Sequence, residues 1–260
     1  MSYGTLLIED RGQTRWITLN RPSALNAMNW KCVLEVHAAT REAEDDTSIR
    51  SIVFNGAGVR AFTAGADITE LVDFGPAEVL RYNRDWLDLF RRIEQCRKPV
   101  IACVHGYATG GGTELALACD FVIAAKSAKF GLAEINIGVI PGACAGVRLT
   151  RWVGRLRAKE LLMLGRLLTG DEAVAWQLAN QCVAPEDLYA TVDTLTDNIN
   201  ARAPLALAAA KQTINTGSEA SWGVAMEYEL QEFVRLFGTE DKKEGMSAFL
   251  EKRKPNFKGK

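Results

Sequence analysis

The chain has 260 residues, 48% hydrophobic and 24% charged, with a formal net charge of −1. That balance is the profile of a soluble globular protein of one large domain or two modest ones, and it offers no global field for nucleic acid or an anionic membrane. No stretch nears the roughly eighteen uninterrupted apolar residues of a membrane span. From the N-terminus, "MSYGTLLIEDRGQTRW" carries neither the basic nor the apolar region of a secretory leader. "TRWITLN" (14–20), "RSIVFNG" (50–56), "PVIACVHG" (99–106) and "DFVIAA" (120–125) are rich in Val and Ile and close on Gly, Asn or small residues, which predicts strands. Between them, 29–45 and 76–95 carry apolar positions at the helix period. Strands alternating with helices predict α/β layers around a buried sheet.

A rhythm of strand, glycine turn, polar stretch and helix recurs loosely in "FNGAGVRAFTAGAD", "CVHGYATGGGTE" and "NIGVIPGACAG", each placing glycines after a strand. From about 157 the chain reads as helices broken at Gly165, Gly170, Pro185, Pro204 and Gly217, with one further strand at "NQCVA" (180–184). The tail "EGMSAFLEKRKPNFKGK" is apolar and then basic, as for a short helix ending on a cationic surface. Cys32, Cys96, Cys103, Cys119, Cys144 and Cys182 form no C-x-x-C pair. They predict buried, reduced thiols in a cytoplasmic protein, with neither a disulfide frame nor a zinc site.

"ATGGGTELALACD", Ala108 to Asp120, is the unusual stretch. Glycine reaches φ > 0 and lets another group approach the main chain. After a strand and before a helix, such a loop leaves N–H groups free for an anion or a developing negative charge. No Gly-Lys-Ser/Thr follows, which excludes a Walker-type phosphate loop; a tight turn under a packed helix remains the plainer alternative. Glu114 stands near the start of that helix among "LALAC", apolar company in which a carboxylate needs a partner or a purpose. Twenty residues on, Glu134 lies in the equally apolar "FGLAEINIGVIPG". Two such acids can share a water or pass a proton.

The stretch "KPVIACVHGYATGGGTELALACDFVIAAKSAKFGLAEINIGVIPG" resembles the signature region of the crotonase, or enoyl-CoA hydratase/isomerase, superfamily. "ITLNRPSALNAM", "AFTAGADITEL" and "EGMSAFLEKRKPNFKGK" extend the resemblance over almost the whole chain. It implies an α/β fold: a crotonase-like spiral of ββα units over 1–195, with a helical region at 196–260 that packs homotrimers, often paired into hexamers. It also implies an enoyl-CoA hydratase, with the thioester as substrate and no metal or cofactor. The N–H groups of Ala66 and Gly111 correspond to the oxyanion hole, and Glu114 and Glu134 to the paired acids of hydratases. Relatives that only shift a double bond usually keep the second acid and can lack the first, so both acids favour water addition. Ser23, Ala24 and Leu25 match the segment that receives adenine, and Ala64 and Ala66 to Ile68, including Asp67, the turn beside the pantetheine. Phe249 and Lys252 match residues that reach the nucleotide from a neighbouring subunit; by spacing alone Lys252 is an exposed tail charge.

The chain departs from the common pattern after "IPG", where Cys144 and Ala145 replace glycines, and at Thr69, which is Lys in some relatives. Pro141, Gly142 and Cys144 approach the acyl group by the same resemblance, and Cys144 reads as a packing change, with no basic partner for a catalytic thiol. Tyr82, Trp86 and Phe90 lie four apart on one helix face, a core stripe by spacing. The resemblance places that helix beside the acyl tunnel, making Trp86 and Phe90 candidate pocket walls. Alternatives are a Δ3,Δ2-enoyl-CoA isomerase, a dehydratase for a branched or cyclic hydroxyacyl-CoA, or RNA binding through "RLTRWVGRLRAKE" (148–160). A near-neutral chain speaks against the last, since those basic residues spread round a helix and read more simply as a solvated face or a subunit contact.

Overall fold

The computed structural model describes residues 3–260, and the apolar runs of the sequence form its central sheet. β1 (Leu6–Arg11) and β2 (Thr14–Leu19) make an antiparallel hairpin whose tight turn has Gly12 at φ +58°, a conformation such turns need. β1 leaves no apolar alternation in the sequence, because it is an edge strand with only Leu6 buried. α1 (Trp30–Asp45) leads to β3 (Ser51–Gly56), then β4 (Ala61–Thr63), α2 (Ile68–Leu71) and α3 (Pro76–Gln95). β5 (Val100–Val104), β6 (Tyr107–Thr109) and α4 (Gly111–Ala118) follow, then β7 (Phe121–Ala125), β8 (Lys129–Gly131) and α5 (Ala145–Leu164), which bends at Gly154. β9 (Leu167–Thr169), α6 (Gly170–Ala175) and β10 (Gln181–Val183) precede four helices: α7 (Leu188–Asn200), α8 (Pro204–Gly217), α9 (Trp222–Leu236) and α10 (Glu240–Leu250).

Two sheets result, in the orders β1-β2-β3-β5-β7-β10 and β4-β6-β8-β9. β3–β4, β5–β6 and β7–β8 each place one strand in the first sheet and a short one in the second before a helix returns the chain. These are three ββα turns of a spiral. Two of the glycine echoes join the paired strands. The third, at 136–146, comes after β8 and leads into α5; the β7–β8 junction is Lys126-Ser127-Ala128, with no glycine.

β3 and β5 are buried at every residue, as parallel strands covered on both faces should be. Ile17, Ile52, Phe54, Ala102 and Val104 share one core with α1, α3 and α4. Trp16, Val53, Ile101, Cys103 and Ile123 pack with Leu188, Val192 and Ile199 of α7. α8 is tied in by one buried cation. Lys211 Nζ lies 2.8 Å from Asp120 Oδ2 and donates to the Ile93 carbonyl at 2.8 Å, while Asp120 also accepts from Val100 N at 2.7 Å. α9 has no buried residue, and Trp222, Phe233, Met246, Phe249 and Leu250 leave α9 and α10 with exposed apolar surface. Among the described residues no helix is long and apolar enough to cross a membrane.

Removing one partner of a buried ion pair strands the other and costs about 3–5 kcal/mol. Lys211→Ala should therefore lower the urea midpoint by a corresponding amount. Arg41→Ala, which breaks the exposed pair with Asp45, should cost under about 1 kcal/mol. Equal small shifts for the two variants would refute the anchoring role of Lys211.

Candidate active site

The loops that leave β4 and β6 meet at one spot. Met28 N donates to Gly65 O at 2.7 Å and Asp67 N to Met28 O at 3.1 Å, a parallel bridge centred on Ala66. The bridge uses the groups of Gly65 and Asp67, so the N–H of Ala66 itself faces the other way. A Cβ built on Gly65 would lie 2.7 Å from Gly111 N, and one on Gly111 would lie 3.5 Å from Ala66 N. Among the described residues neither the Ala66 nor the Gly111 N–H donates to another backbone group. Two donors side by side, one at the mouth of α4, form a cradle for a negative oxygen.

The three consecutive glycines answer three separate constraints. Gly110 takes φ +54°, ψ −125°, a region closed to side chains. A Cβ on Gly111 would meet the Trp86 ring at 2.7 Å, and one on Gly112 would meet Thr63 O at 2.3 Å. Thr113 then fastens the loop: its hydroxyl donates to Ala108 O at 2.6 Å and accepts from Gly131 N at 3.1 Å.

Glu114 follows on the first turn of α4, 4% exposed. Its Oε1 accepts from the amides of Ala143 and Ala145, each at 3.1 Å. Burial pushes its pKa up to about 7; the charge of Glu134 pushes the same way, while the two amides and Arg148 pull against it. Glu134 opens a 3-10 turn, Glu134–Ile137. Its Oε2 is buried without a hydrogen-bond partner, and burial raises its pKa. A Cβ on Gly110 would touch Glu134 Oε1 at 3.0 Å, so this acid borders the donor loop. The site thus joins two backbone donors to two acids that burial makes hold their protons more strongly than exposed carboxyls do.

Trp86 borders the donors, edge to face between Tyr82 and Phe90, with its Nε1 buried and unpartnered. Phe90 is fully buried between Trp86 and the Arg148 guanidinium, so it supports the wall from the core. Pro141 and Gly142 lead to Cys144, which lies at φ +73° between the two amides that hold Glu114 and is exposed there, so it is not the buried thiol expected, and Cys182 is only half-buried. Ser23 and Ala24 sit in a 3-10 turn, Pro22–Ala24; Leu25 follows at φ +52°, and its carbonyl accepts from Ala64 N at 3.0 Å. That bond makes the two segments expected to hold coenzyme A neighbours. Asp67 accepts from Arg21 Nη1 at 2.8 Å and Thr69 Oγ1 at 2.7 Å, and Ile68 opens α2. Phe249 and Lys252, at the end of α10, are exposed and are not among the groups that meet here. The basic run at 148–160 is not one solvated face. Arg151 pairs with Glu219, but Arg148 turns inward to Glu94, and nothing in its spacing marks it for that role.

The family profile described as enoyl-CoA hydratase/isomerase matches residues 11–260. The short-chain-enoyl-CoA hydratase of Clostridium acetobutylicum is 38% identical over 98% of this chain and 97% of its own. The crotonyl-CoA hydratase of Syntrophomonas wolfei is 39% identical over 99% of both. Among solved structures, subunit I of an enoyl-CoA hydratase from Geobacillus kaustophilus superposes with a TM-score of 0.94 at 39% identity, covering 99% of each chain.

Glu114 has a folded pKa of about 7 against an ordinary 4.5. The folded state therefore keeps a proton that the unfolded chain releases. The resulting penalty is absent below pH 4.5, grows through the interval and is complete above about pH 7, on the order of 3 kcal/mol. Glu114→Gln removes it. In urea unfolding, the wild type should lose that much stability relative to the variant as the pH rises from about 4.5 to 8. A difference independent of pH would contradict this placement of the carboxyl.

Proposed function

The chain belongs to the enoyl-CoA hydratase/isomerase family, and from that premise we propose how its residues act. It is an enoyl-CoA hydratase, adding water reversibly across the 2,3 double bond of a 2-enoyl-CoA thioester to give a 3-hydroxyacyl-CoA. As water adds, negative charge builds on the thioester carbonyl oxygen. The N–H groups of Ala66 and Gly111 receive that oxygen, and preorganised donors of this kind are worth about 10²–10³ in rate. Glu114 positions and deprotonates the water that attacks C3. Glu134 delivers the proton to C2, and in the reverse direction removes it. The observation that carries this reading is the convergence of two unpaired backbone donors with the buried Glu114 and the half-buried Glu134, both of raised pKa.

The chemistry needs no metal or cofactor, because the thioester itself makes C3 electrophilic and C2 acidic. Ser23, Ala24 and Leu25 receive the adenine, and Ala64, Ala66, Asp67 and Ile68 flank the pantetheine; the Leu25–Ala64 hydrogen bond supports a single binding surface. Trp86, with Phe90 behind it, walls the acyl group on one side, and Pro141, Gly142 and Cys144 approach it from the other. A short acyl chain suits a site where the indole edge stands against Gly111. The exposed apolar faces of α9 and α10 support assembly into a homotrimer or a hexamer, in which Phe249 and Lys252 serve a neighbouring subunit's nucleotide. Thiols without disulfides suit a cytoplasmic setting.

Hydration of crotonyl-CoA is followed as loss of the conjugated enoyl absorbance. Glu114→Gln and Glu134→Gln should each lower kcat by about 10²–10⁴ while leaving acyl-CoA binding measurable. Near-normal turnover by either would overturn the assignment, and conversion of a 3-enoyl-CoA without hydration of the 2-enoyl isomer would make the enzyme an isomerase. Light scattering should give three or six times the 28.5 kDa chain mass; a monomer would remove Phe249 and Lys252 from the site.

A further inference from the structure

Glu114 is held by a segment far from it in sequence. Its Oε1 hangs on the amides of Ala143 and Ala145, at the entry to α5. That turn has little of its own to fix it. Cys144, between the two amides, adopts the left-handed region at φ +73°, ψ +15°, and gives α5 no side-chain cap, a conformation that side chains disfavour.

One side chain secures the turn. Arg148 donates from Nη1 to the Ala143 carbonyl at 2.7 Å and from Nε to Glu94 Oε1 on α3, also at 2.7 Å. Its guanidinium lies over the Phe90 ring, 5.4 Å from the centroid, and its side chain is 13% exposed. A planar guanidinium sets its donors in fixed directions, which an ammonium cannot do. We propose that Arg148 is a positioning residue for the hydration reaction: anchored on Glu94, it fixes the Ala143–Ala145 turn so that its amides hold Glu114 in register with the oxyanion hole. The inference rests on the role given to Glu114 above.

Placement and charge are separable contributions. The charged groups that act on Glu114 are Glu134 from the 3-10 turn and Arg148 from α5, with Glu94 of α3 behind Arg148. The Arg148 cation favours ionised Glu114, so its loss should raise the pH at which Glu114 becomes a base. Lysine keeps the cation and loses the fork.

The test uses full-length Arg148→Gln, Arg148→Lys, Glu94→Gln and Glu114→Gln, assayed with crotonyl-CoA across the pH range. Arg148→Gln should lose about 10²-fold in kcat, with KM within about threefold of wild type and the acid limb of kcat moved to higher pH. Arg148→Lys should restore the limb and leave kcat at least about tenfold low. Wild-type kcat and limb in Arg148→Gln, or full rescue of kcat by lysine, would overturn the proposal. Should Arg148→Gln fail to fold, Glu94→Gln decides: a several-fold loss of kcat at constant KM supports the anchor, and unchanged kcat refutes it. Activity retained in Glu114→Gln would instead defeat the assignment of Glu114, and with it any action of Arg148 through that acid.

Discussion

The close approach of two backbone segments at Gly65 and Gly111 is the constraint on which the rest of the site depends. A side-chain carbon on Gly65 would stand 2.5 Å from Thr109 O and 2.7 Å from Gly111 N. Only bare main chain brings the Ala66 and Gly111 donors close enough to serve one oxygen. The spiral makes that approach possible, because successive ββα turns stack β4 beside β6 and β6 beside β8. The loops that follow these strands are thereby stacked as well. Donors supplied by the backbone are rigid and cannot be lost by changing a side chain, which suits a charge that exists only in the transition state.

The acids are the opposite case, since they are costly to bury. Glu114 and Glu134 lie where water cannot fully solvate them, so each holds its proton more strongly than an exposed carboxyl. The fold offsets the cost unequally. Glu114 has two amides, whereas Glu134 has an oxygen with no partner at all. An unmatched buried oxygen beside the donor loop is a stability defect in the isolated chain. Stability given up at these two acids is compensated elsewhere, here by cores on both faces of the main sheet and by the buried Lys211–Asp120 link.

Much of the architecture is legible from pattern alone. Continuous apolar runs at 50–56 and 99–106 become strands covered on both sides, and the helix periods at 29–45 and 76–95 become α1 and α3. The features that escape are those without their own pattern. β1 shows solvent most of its residues, and β4, β6, β8 and β9 have three residues each, too short to display alternation. The third glycine echo is displaced for a related reason: glycine marks a backbone need, and at 136–146 that need arises at Gly138, which closes the 3-10 turn at φ +80°. Phe90 illustrates the limit of face-sharing, since it lies on the same helix face as Trp86 yet sits wholly in the core under Arg148.

By itself the sequence determined the alternation of strands and helices, the bare loop at Gly110–Gly112, the apolar company of both acids and, through resemblance, the family. These depend on local periodicity and on residue chemistry, which the order of residues carries directly. Tertiary structure alone decided which N–H groups stay unpaired, which amides grip Glu114 across 29 and 31 residues, and that Arg148 turns inward. Hydrogen-bond partners, burial and proton affinity are properties of neighbours in space, and folding alone brings those neighbours together.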